Sequence, residues 1–217
     1  MSVPDNLTAV LRRKGIQIVA REGQEHLVSE SYFYKTEAYY TLVTSELEGK
    51  DIIPSSREVV EAFVVPVCLM KAEMAGIPVC AWEISYAYAP VPSILYGINY
   101  FSDPADYIIL NNPDTSGALI THITNKLKYP FCYQKIEDPA QVMNTLCVFG
   151  NVAGNDPDLA SIAEKIYRCF RIPLFTMVLV RQDEGYLLSS LTSFKFAKLS
   201  IRERQLIRDV IREGACG

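Results

Sequence analysis

The chain lacks the features that mark several common classes of protein. Its 217 residues carry a net charge of −4 and no basic stripe that could neutralise a row of phosphates, so the sequence predicts no nucleic-acid partner. No apolar run approaches the roughly 20 residues needed to span a bilayer, which predicts no membrane insertion. Segment 1–13 has neither an apolar signal core nor a small-residue cleavage site, and a cytoplasmic protein is therefore expected.

Close groups of metal-binding residues are also missing. The six cysteines are scattered without a CxxC pair, and His26 and His122 lie far from any close cysteine spacing. We therefore expect buried, reduced thiols and no metal site. Cys132 and His122 could in principle form a nucleophile and its base. The apolar run around Cys132 favours a core position instead, and the sequence offers no third group to orient the pair.

Apolar residues are present in quantity. They make up 49% of the chain, which is enough for a substantial core in one large domain or two small lobes. Helical and strand patterns alternate, which predicts an α/β fold. Capping boxes at Ser55–Glu58 and Ser200–Glu203 mark two helix starts. The other predicted helices span 4–14, 36–48, 66–75, 115–126 and 157–170. The predicted strands span 16–20, 77–84, 93–96, 107–110, 131–136 and 146–149, a hairpin joins 174–180 to 186–190, and a loop covers 151–158.

Two short motifs resemble the ATP-grasp ligases, particularly the RimK-type group that ligates glutamate to amino groups. They are Ile53-Pro54-Ser55-Ser56-Arg57-Glu58-Val59 and Ala75-Gly76-Ile77-Pro78-Val79. The order of later elements is also similar: 93–96 resembles the family's lysine-bearing strand, 131–136 its hinge strand, 147–150 the next strand and 159–188 the closing unit. The resemblance implies an α/β (α+β) ATP-grasp-like fold, with two lobes of mixed or antiparallel sheets flanked by helices. A reduced N-terminal region would span 1–84 and the ATP-grasp-like lobes 85–217.

The same resemblance implies charged residues that this chain has replaced. The family's Asp-Lys pair aligns with Val64-Val65, its phosphate-binding strand lysine with Tyr96, and its Glu-x-Asn metal site with Ser189-Ser190-Leu191. The family's glycine-rich flap corresponds to 97–104, which has one glycine, and the segment that carries acyl-phosphate arginines is reduced to a short loop before residue 159. Lysines hold the phosphates and carboxylates hold magnesium in this chemistry. We therefore expect a catalytically degenerate, shortened ligase homologue with no catalytic residues.

Three functions stay open at this point. The first is an accessory or interaction protein that needs no cofactor and acts through a protein partner or self-association. The second is an active carboxylate–amine ligase that uses ATP and magnesium at a displaced site. The third is a small-ligand or nucleotide-binding module without catalysis. For any residual nucleotide contact, the resemblance implies Tyr96 and the hinge-strand residues Gln134, Lys135 and Ile136.

Aromatic and acidic clusters have two interpretations each. The runs 32–34 and 86–88, together with Tyr39 and Tyr40, are typical either of core packing or of a protein interface. The acid pairs at 46 and 48 and at 156 and 158 are explained by helix surfaces and caps.

Overall fold

The computed structural model describes residues 15–137, 141–182 and 185–214, with side chains up to residue 211. The predicted helix at 4–14 lies outside the described residues. The chain forms two compact units that are each discontinuous in sequence. The first unit comprises 1–62, 145–177 and 193–217, and the second comprises 63–144 and 178–192. The division at residue 84 made from the sequence stays a prediction.

The first unit combines a small sheet with four helices among its described residues. Its elements are β1 (Ile16–Arg21), β2 (Gln24–Ser29), α1 (Glu37–Leu47), β3 (Ile52–Ile53), α2 (Ser56–Phe63, whose last residue falls in the second unit), β9 (Asn151–Val152), α5 (Pro157–Phe170) and α6 (Ile201–Gly214). Strands β1 and β2 form an antiparallel hairpin, and β3 runs parallel to β2. The helix starts follow their sequence signals, since the Asp156 carboxylate accepts hydrogen bonds from the first turn of α5.

An apolar cluster holds the first unit together. Its buried members come from β1, β2, the 146–149 segment, residue 174 and the region from 194 to 211. They are Val19, Val28, Leu146, Val148, Phe149, Leu174, Phe194, Phe196, Leu199, Ile207, Val210 and Ile211. Burial of these side chains is the main stabilising contribution that this unit can draw on.

A buried histidine lies beside this cluster. The His26 ring makes an edge contact with the Phe149 ring at 5.2 Å between centroids, and the Arg21 guanidinium lies 4.8 Å from the same ring centre. Burial lowers the pKa of His26, and the charges of Arg171 and Arg21 lower it further. The imidazole is therefore held in its neutral form within the folded unit.

The second unit is built on a four-stranded antiparallel sheet. Its elements are α3 (Val65–Met74), β4 (Trp82–Ser85), β5 (Ser93–Gly97), a 3₁₀ turn (Pro104–Asp106), β6 (Ile108–Leu110), α4 (Pro113–Ile123), β7 (Phe131–Lys135) and β11 (Gly185–Thr192). The sheet order is β4-β7-β5-β6. A further sheet has the order β11-β10-β8-β9, and the division between the units passes through its strands β8 (Gln141–Val148) and β10 (Leu174–Gln182).

The two faces of the β4-β7-β5-β6 sheet carry separate apolar clusters. One contains Ala89, Leu95, Leu110, Ile120, Ile123, Phe131 and Tyr133, so α4 packs on that face. The other contains Val65, Leu69, Cys80, Ile94, Tyr96, Cys132, Ile136 and Val180. Both faces are therefore covered, which explains the continuous apolar character of 93–96 and 131–133.

The predicted mixture of helices and antiparallel sheets is confirmed, but several element bounds were wrong. Strand β2 was missed, and the predicted strand 77–84 is reduced to Trp82–Ser85 with an isolated bridge at Val79, because Pro78 has no N–H to extend the ladder. The predicted loop 151–158 begins with a short strand, and β8 starts at 141 rather than 146. Helix α4 starts at 113 and ends at 123, because the Asn112 side chain caps its start and residues 125–127 all take left-handed backbone angles.

Among the described residues, no helix combines the length and apolar character that crossing a bilayer would require.

Candidate functional site

Strands β5 and β7 place the predicted nucleotide residues in the second unit. The two strands are antiparallel neighbours, with Ile94 opposite Gln134 and Tyr96 opposite Cys132. Directly opposed residues point to the same face of a sheet, and successive residues alternate between faces. Tyr96 and Gln134 therefore share one face, whereas Lys135 lies on the other.

Tyr96 is the centre of a buried hydrogen-bond cluster. Its hydroxyl lies 2.6 Å from Ser189 Oγ and accepts a hydrogen bond of 3.0 Å from Ser190 Oγ. Gln134 Nε2 donates to the backbone carbonyl of Ser189 at 2.7 Å. All four residues are at most 1% exposed. The structure thus joins the position aligned with the phosphate-binding lysine to the positions aligned with the metal ligands, through neutral groups only.

The protonation state of this cluster follows from its burial. Burial raises the pKa of Tyr96 well above its ordinary value, and the two serine hydroxyls offset that rise only in part. The phenol therefore stays neutral across the physiological range. A neutral hydroxyl that is already engaged by two serines cannot supply the cationic contact that a phosphate group requires.

Gln134 contributes an acceptor that has no partner. Its Oε1 atom is buried, and no hydrogen-bond donor reaches it among the described residues. Leaving a buried acceptor unpaired costs about 1–3 kcal/mol. The unpaired atom is a carbonyl oxygen, so it would repel a phosphate oxygen and favour a donor instead.

Lys135 and Ile136 take no part in the hydrogen-bond cluster around the Tyr96 hydroxyl. The Lys135 ammonium lies 3.6 Å from a Glu83 carboxylate oxygen, and the Tyr133 hydroxyl donates to the same carboxylate. The Tyr133 hydroxyl and the Lys135 ammonium together lower the pKa of Glu83. Ile136 packs in the apolar cluster on the Tyr96 face. The structure therefore brings Tyr96 and Gln134 together and gives Lys135 a separate, compensated position.

The residues present do not fit a magnesium nucleotide. Val65, which aligns with half of the family's Asp-Lys pair, is buried at the start of α3. Within the described ranges, no three histidine, cysteine, aspartate or glutamate side chains lie close enough to hold a metal ion. Magnesium prefers carboxylate oxygens, and Ser189 and Ser190 direct their hydroxyls to Tyr96. No step that passes through ATP or magnesium can be derived from these groups.

The cysteines are mostly buried in the core, as the sequence predicts. Cys68, Cys80, Cys132 and Cys147 are buried, and Cys169 is half-buried. Burial raises the pKa of Cys132 to about 12. Cys132 lies in the apolar cluster on one face of the sheet, whereas the helix that carries His122 packs on the opposite face, so the structure does not bring the two side chains together.

A separate open cleft of about 550 Å³ lies at the end of β5. Its lining comes from the loop after β5, the 3₁₀ turn, β6 and the end of α4. The lining residues are Gly97, Asn99, Phe101, Ser102, Asp106, Ile108, His122, Ile123 and Asn125. The sequence reasoning treated 97–104 only as a degenerate flap and missed this cleft. The sequence does indicate the charge of this region, because no lysine or arginine occurs between Lys71 and Lys126.

The structure gives different roles to the individual residues of the aromatic and acidic clusters. Tyr32 is buried, and its hydroxyl donates to the carbonyl of Leu27, so it serves the core. Tyr40, Tyr86 and Tyr88 are all more than 60% exposed. Asp156 caps α5 as predicted. Glu46 has a more specific role than a helix surface, because its carboxylate accepts hydrogen bonds from both the N–H and the hydroxyl of Ser56 at the start of α2.

The fold is similar to that of several ATP-grasp proteins. A RimK domain ATP-grasp protein from Sphaerobacter thermophilus DSM 20745 aligns with a TM-score of 0.61 at 16% identity, covering 82% of this chain and 77% of its own. The ATP-grasp ligase PsnB, solved with its minimal precursor, Mg and ADP, gives 0.55 at 15% identity and covers 81% and 66%. The D-alanine–D-alanine ligase of Helicobacter pylori gives 0.56 at 8% identity and covers 79% and 67%.

The family-level comparison is more specific. Residues 110–210 match the model of the RimK-like ATP-grasp N-terminal domain. Together with the structural similarities, this match confirms the resemblance to the ATP-grasp superfamily, RimK type, that the sequence motifs indicate. No curated protein sequence matches the chain.

Proposed function

We propose that this protein is an ATP-grasp-like ligase homologue that has lost ATP-driven ligation and acts by binding a partner. The observation that carries the proposal is the buried contact of Tyr96 with Ser189 and Ser190. The resemblance to the family aligns these neutral side chains with a phosphate-binding lysine and with metal ligands. They also satisfy one another, so the cluster has no free charge to offer.

The energetic consequence for nucleotide binding is large. A lysine–phosphate contact at about 4 Å contributes on the order of 4 kcal/mol at an effective dielectric constant near 20. Each tenfold change in affinity corresponds to about 1.4 kcal/mol. Losing the strand lysine and the Asp-Lys lysine therefore weakens triphosphate binding by several orders of magnitude. An active carboxylate–amine ligase would need cations at these positions.

A calorimetric titration with magnesium-ATP tests this proposal. We expect no saturable binding below millimolar concentrations and no ADP release in a coupled assay, with an active ATP-grasp ligase as the positive control. The Tyr96→Phe variant should give the same titration result as the unaltered protein at a temperature where both are folded, since the Tyr96 hydroxyl is proposed to make no nucleotide contact. Micromolar, magnesium-dependent binding of ATP would refute the loss of ligation.

An interaction role is supported by exposed aromatic side chains next to a sheet edge. Tyr86 and Tyr88 follow the edge strand β4, and Ile84 on that strand is 52% exposed. Exposed aromatic groups of this kind are enriched at protein interfaces. Sedimentation of the intact protein and of a Tyr86→Ser, Tyr88→Ser variant tests self-association: a concentration-dependent dimer in the former alone would identify this surface as the interface.

The second candidate is a small-ligand-binding module, and the cleft at the end of β5 favours it. A volume of about 550 Å³ is within the usual range for small-molecule sites. This function is compatible with the loss of ligation, because the cleft lining and the Tyr96 cluster use different side chains. We further propose a cytoplasmic location, which the buried thiols of Cys80, Cys132 and Cys147 support.

A further inference from the structure

The cleft at the end of β5 is held open by specific contacts. The Asn99 side chain donates from Nδ2 to the carbonyl of Ile123 at 2.9 Å and accepts from the Phe101 N–H at 2.9 Å. It thereby ties the loop after β5 to the end of α4. A Cβ added at Gly97 would lie 2.1 Å from Ser102 Oγ and 3.0 Å from Ser102 Cβ, so a larger residue there would have to displace the Ser102 side chain. The wall is therefore built before any ligand arrives.

One side of the cleft is strained. Asn125, Lys126 and Leu127 have φ values of +50°, +62° and +62°, and Asn125 lines the cleft. Left-handed backbone is unfavourable for side chains such as those of Lys126 and Leu127, whereas asparagine tolerates it better. Five hydrogen bonds compensate for this segment. The Thr124 hydroxyl accepts from the Leu127 N–H, and backbone carbonyls accept from the N–H groups of residues 125, 126, 128 and 129. Strain of this kind concentrates at functional sites.

The charge of the cleft has one sign. Asp106 is the charged lining residue, and lysine and arginine are absent from the lining. The stretch 72–125 contains Glu73, Glu83, Asp103, Asp106 and Asp114 without a lysine or arginine. Lys126 follows the lining residue Asn125 but is not itself part of the lining. Such a site repels phosphates and carboxylates and attracts cations. It therefore differs from a phosphate cradle in its ligand chemistry.

Apolar groups complete the lining. Ile108 and Ile123 supply aliphatic surface, and the Phe101 ring is 70% exposed at the cleft. An aromatic face attracts a cation that lies within about 6 Å of its centre. The combination of one carboxylate, one aromatic ring and two isoleucines suits a charged nitrogen attached to a small apolar body.

We propose that this cleft binds a small organic cation, with its ammonium group beside Asp106 and its apolar body against Ile108, Ile123 and Phe101. The polar atoms of Ser102, His122 and Asn125 lie around the same space. This site does not depend on the loss of ligation, because it uses none of the side chains of the Tyr96 cluster.

A titration series with the intact chain tests the ligand class without any substitution. Benzylammonium, benzyl alcohol and benzoate have similar size and carry a positive charge, no charge and a negative charge. Amide chemical shifts are followed by NMR up to tens of millimolar of each probe. We expect saturable shifts at Gly97, Ser102 and Asn125 with benzylammonium, about fivefold weaker binding of benzyl alcohol, and no binding of benzoate. Benzoate binding as tightly as benzylammonium, or no saturable shift with any probe, would overturn the proposal.

A pair of variants tests whether the Asp106 carboxylate is the group that attracts the ammonium. Asp106→Asn should weaken benzylammonium binding about fivefold at low salt, and less at high salt because the interaction is screened. Asp114→Asn is the matched control: it removes the same charge from an exposed position on α4 that does not line the cleft. It should leave the affinity unchanged. If both variants weaken binding equally, the attraction comes from the overall field and the assignment to Asp106 is wrong.

Discussion

Replacing Tyr96 with phenylalanine removes one oxygen atom from the centre of a buried polar cluster. The substitution leaves Ser189 Oγ and Ser190 Oγ without the partner they share. A buried hydroxyl left without a hydrogen bond costs about 1–3 kcal/mol, so Tyr96→Phe should lower the free energy of unfolding by about 2–4 kcal/mol. The same substitution in a Ser189→Ala, Ser190→Ala background should cost less than about 1 kcal/mol, because no serine hydroxyl is left unpaired there.

Urea unfolding measured by tryptophan fluorescence is the assay. The chain has one tryptophan, Trp82, and it packs against the apolar cluster that contains Tyr96. Tyr107→Phe is the matched control, because its hydroxyl has only a long 3.5 Å contact from Asn144 Nδ2 in an exposed position. That variant should change stability by less than about 0.5 kcal/mol. Equal costs of Tyr96→Phe in both backgrounds would refute the reasoning, because the hydroxyls would then not be coupled.

Three further predictions concern other parts of the molecule. The pKa of His26 is lowered from 6.5, so the unfolded chain binds more protons than the folded chain below that pH. The free energy of unfolding should therefore fall as the pH drops below about 6.5, by at most about 1.4 kcal/mol per pH unit. Urea unfolding at several pH values measures this slope, which should disappear in His26→Gln; an unchanged slope would contradict the assignment. Gly97→Ala should lower the free energy of unfolding by about 1–3 kcal/mol, because the added Cβ would lie 2.1 Å from the Ser102 hydroxyl. Gly117→Ala, at an exposed helix position, should raise it by up to about 1 kcal/mol. Equal shifts in melting temperature would contradict the close approach at Gly97. Glu46→Gln should lower the free energy of unfolding by about 1–3 kcal/mol, because it weakens the two hydrogen bonds at the start of α2. Glu48→Gln is the control and should be nearly neutral, since Glu48 makes only an exposed ion pair with Lys50 among the contacts described. Similar melting temperatures for the two variants would contradict the capping role of Glu46.

The sequence predicts the helices better than the strands. Helix α5 follows from an apolar face repeated every three to four residues and from the proline and aspartate at its start, and these are local signals. Strand β2 was missed, because its pattern QEHLVS becomes recognisable as a strand only through its pairing with β1 and β3. Strand pairing depends on residues that are distant in sequence, so the bounds of strands carry less local information.

In the candidate sites too, residue types are readable from the sequence, whereas contacts between distant residues are not. Sequence alignment to the family's motifs indicates that Tyr96 and Ser189 replace charged residues, but it contains no information that they bond to each other across 93 residues. The cleft residues come from four elements, and only folding brings Asn99 to the end of α4. The exposed position of Asp106 within that cleft could not be read from its spacing to other acids.

By itself, the sequence determined the mixture of helices and sheets and most of the helix starts, because periodicity and capping residues are local properties. The tertiary structure decided which polar groups satisfy one another and which remain available to a ligand. Those outcomes depend on burial and on distances between separate strands, and a buried hydroxyl has the same letter in the sequence as an exposed one.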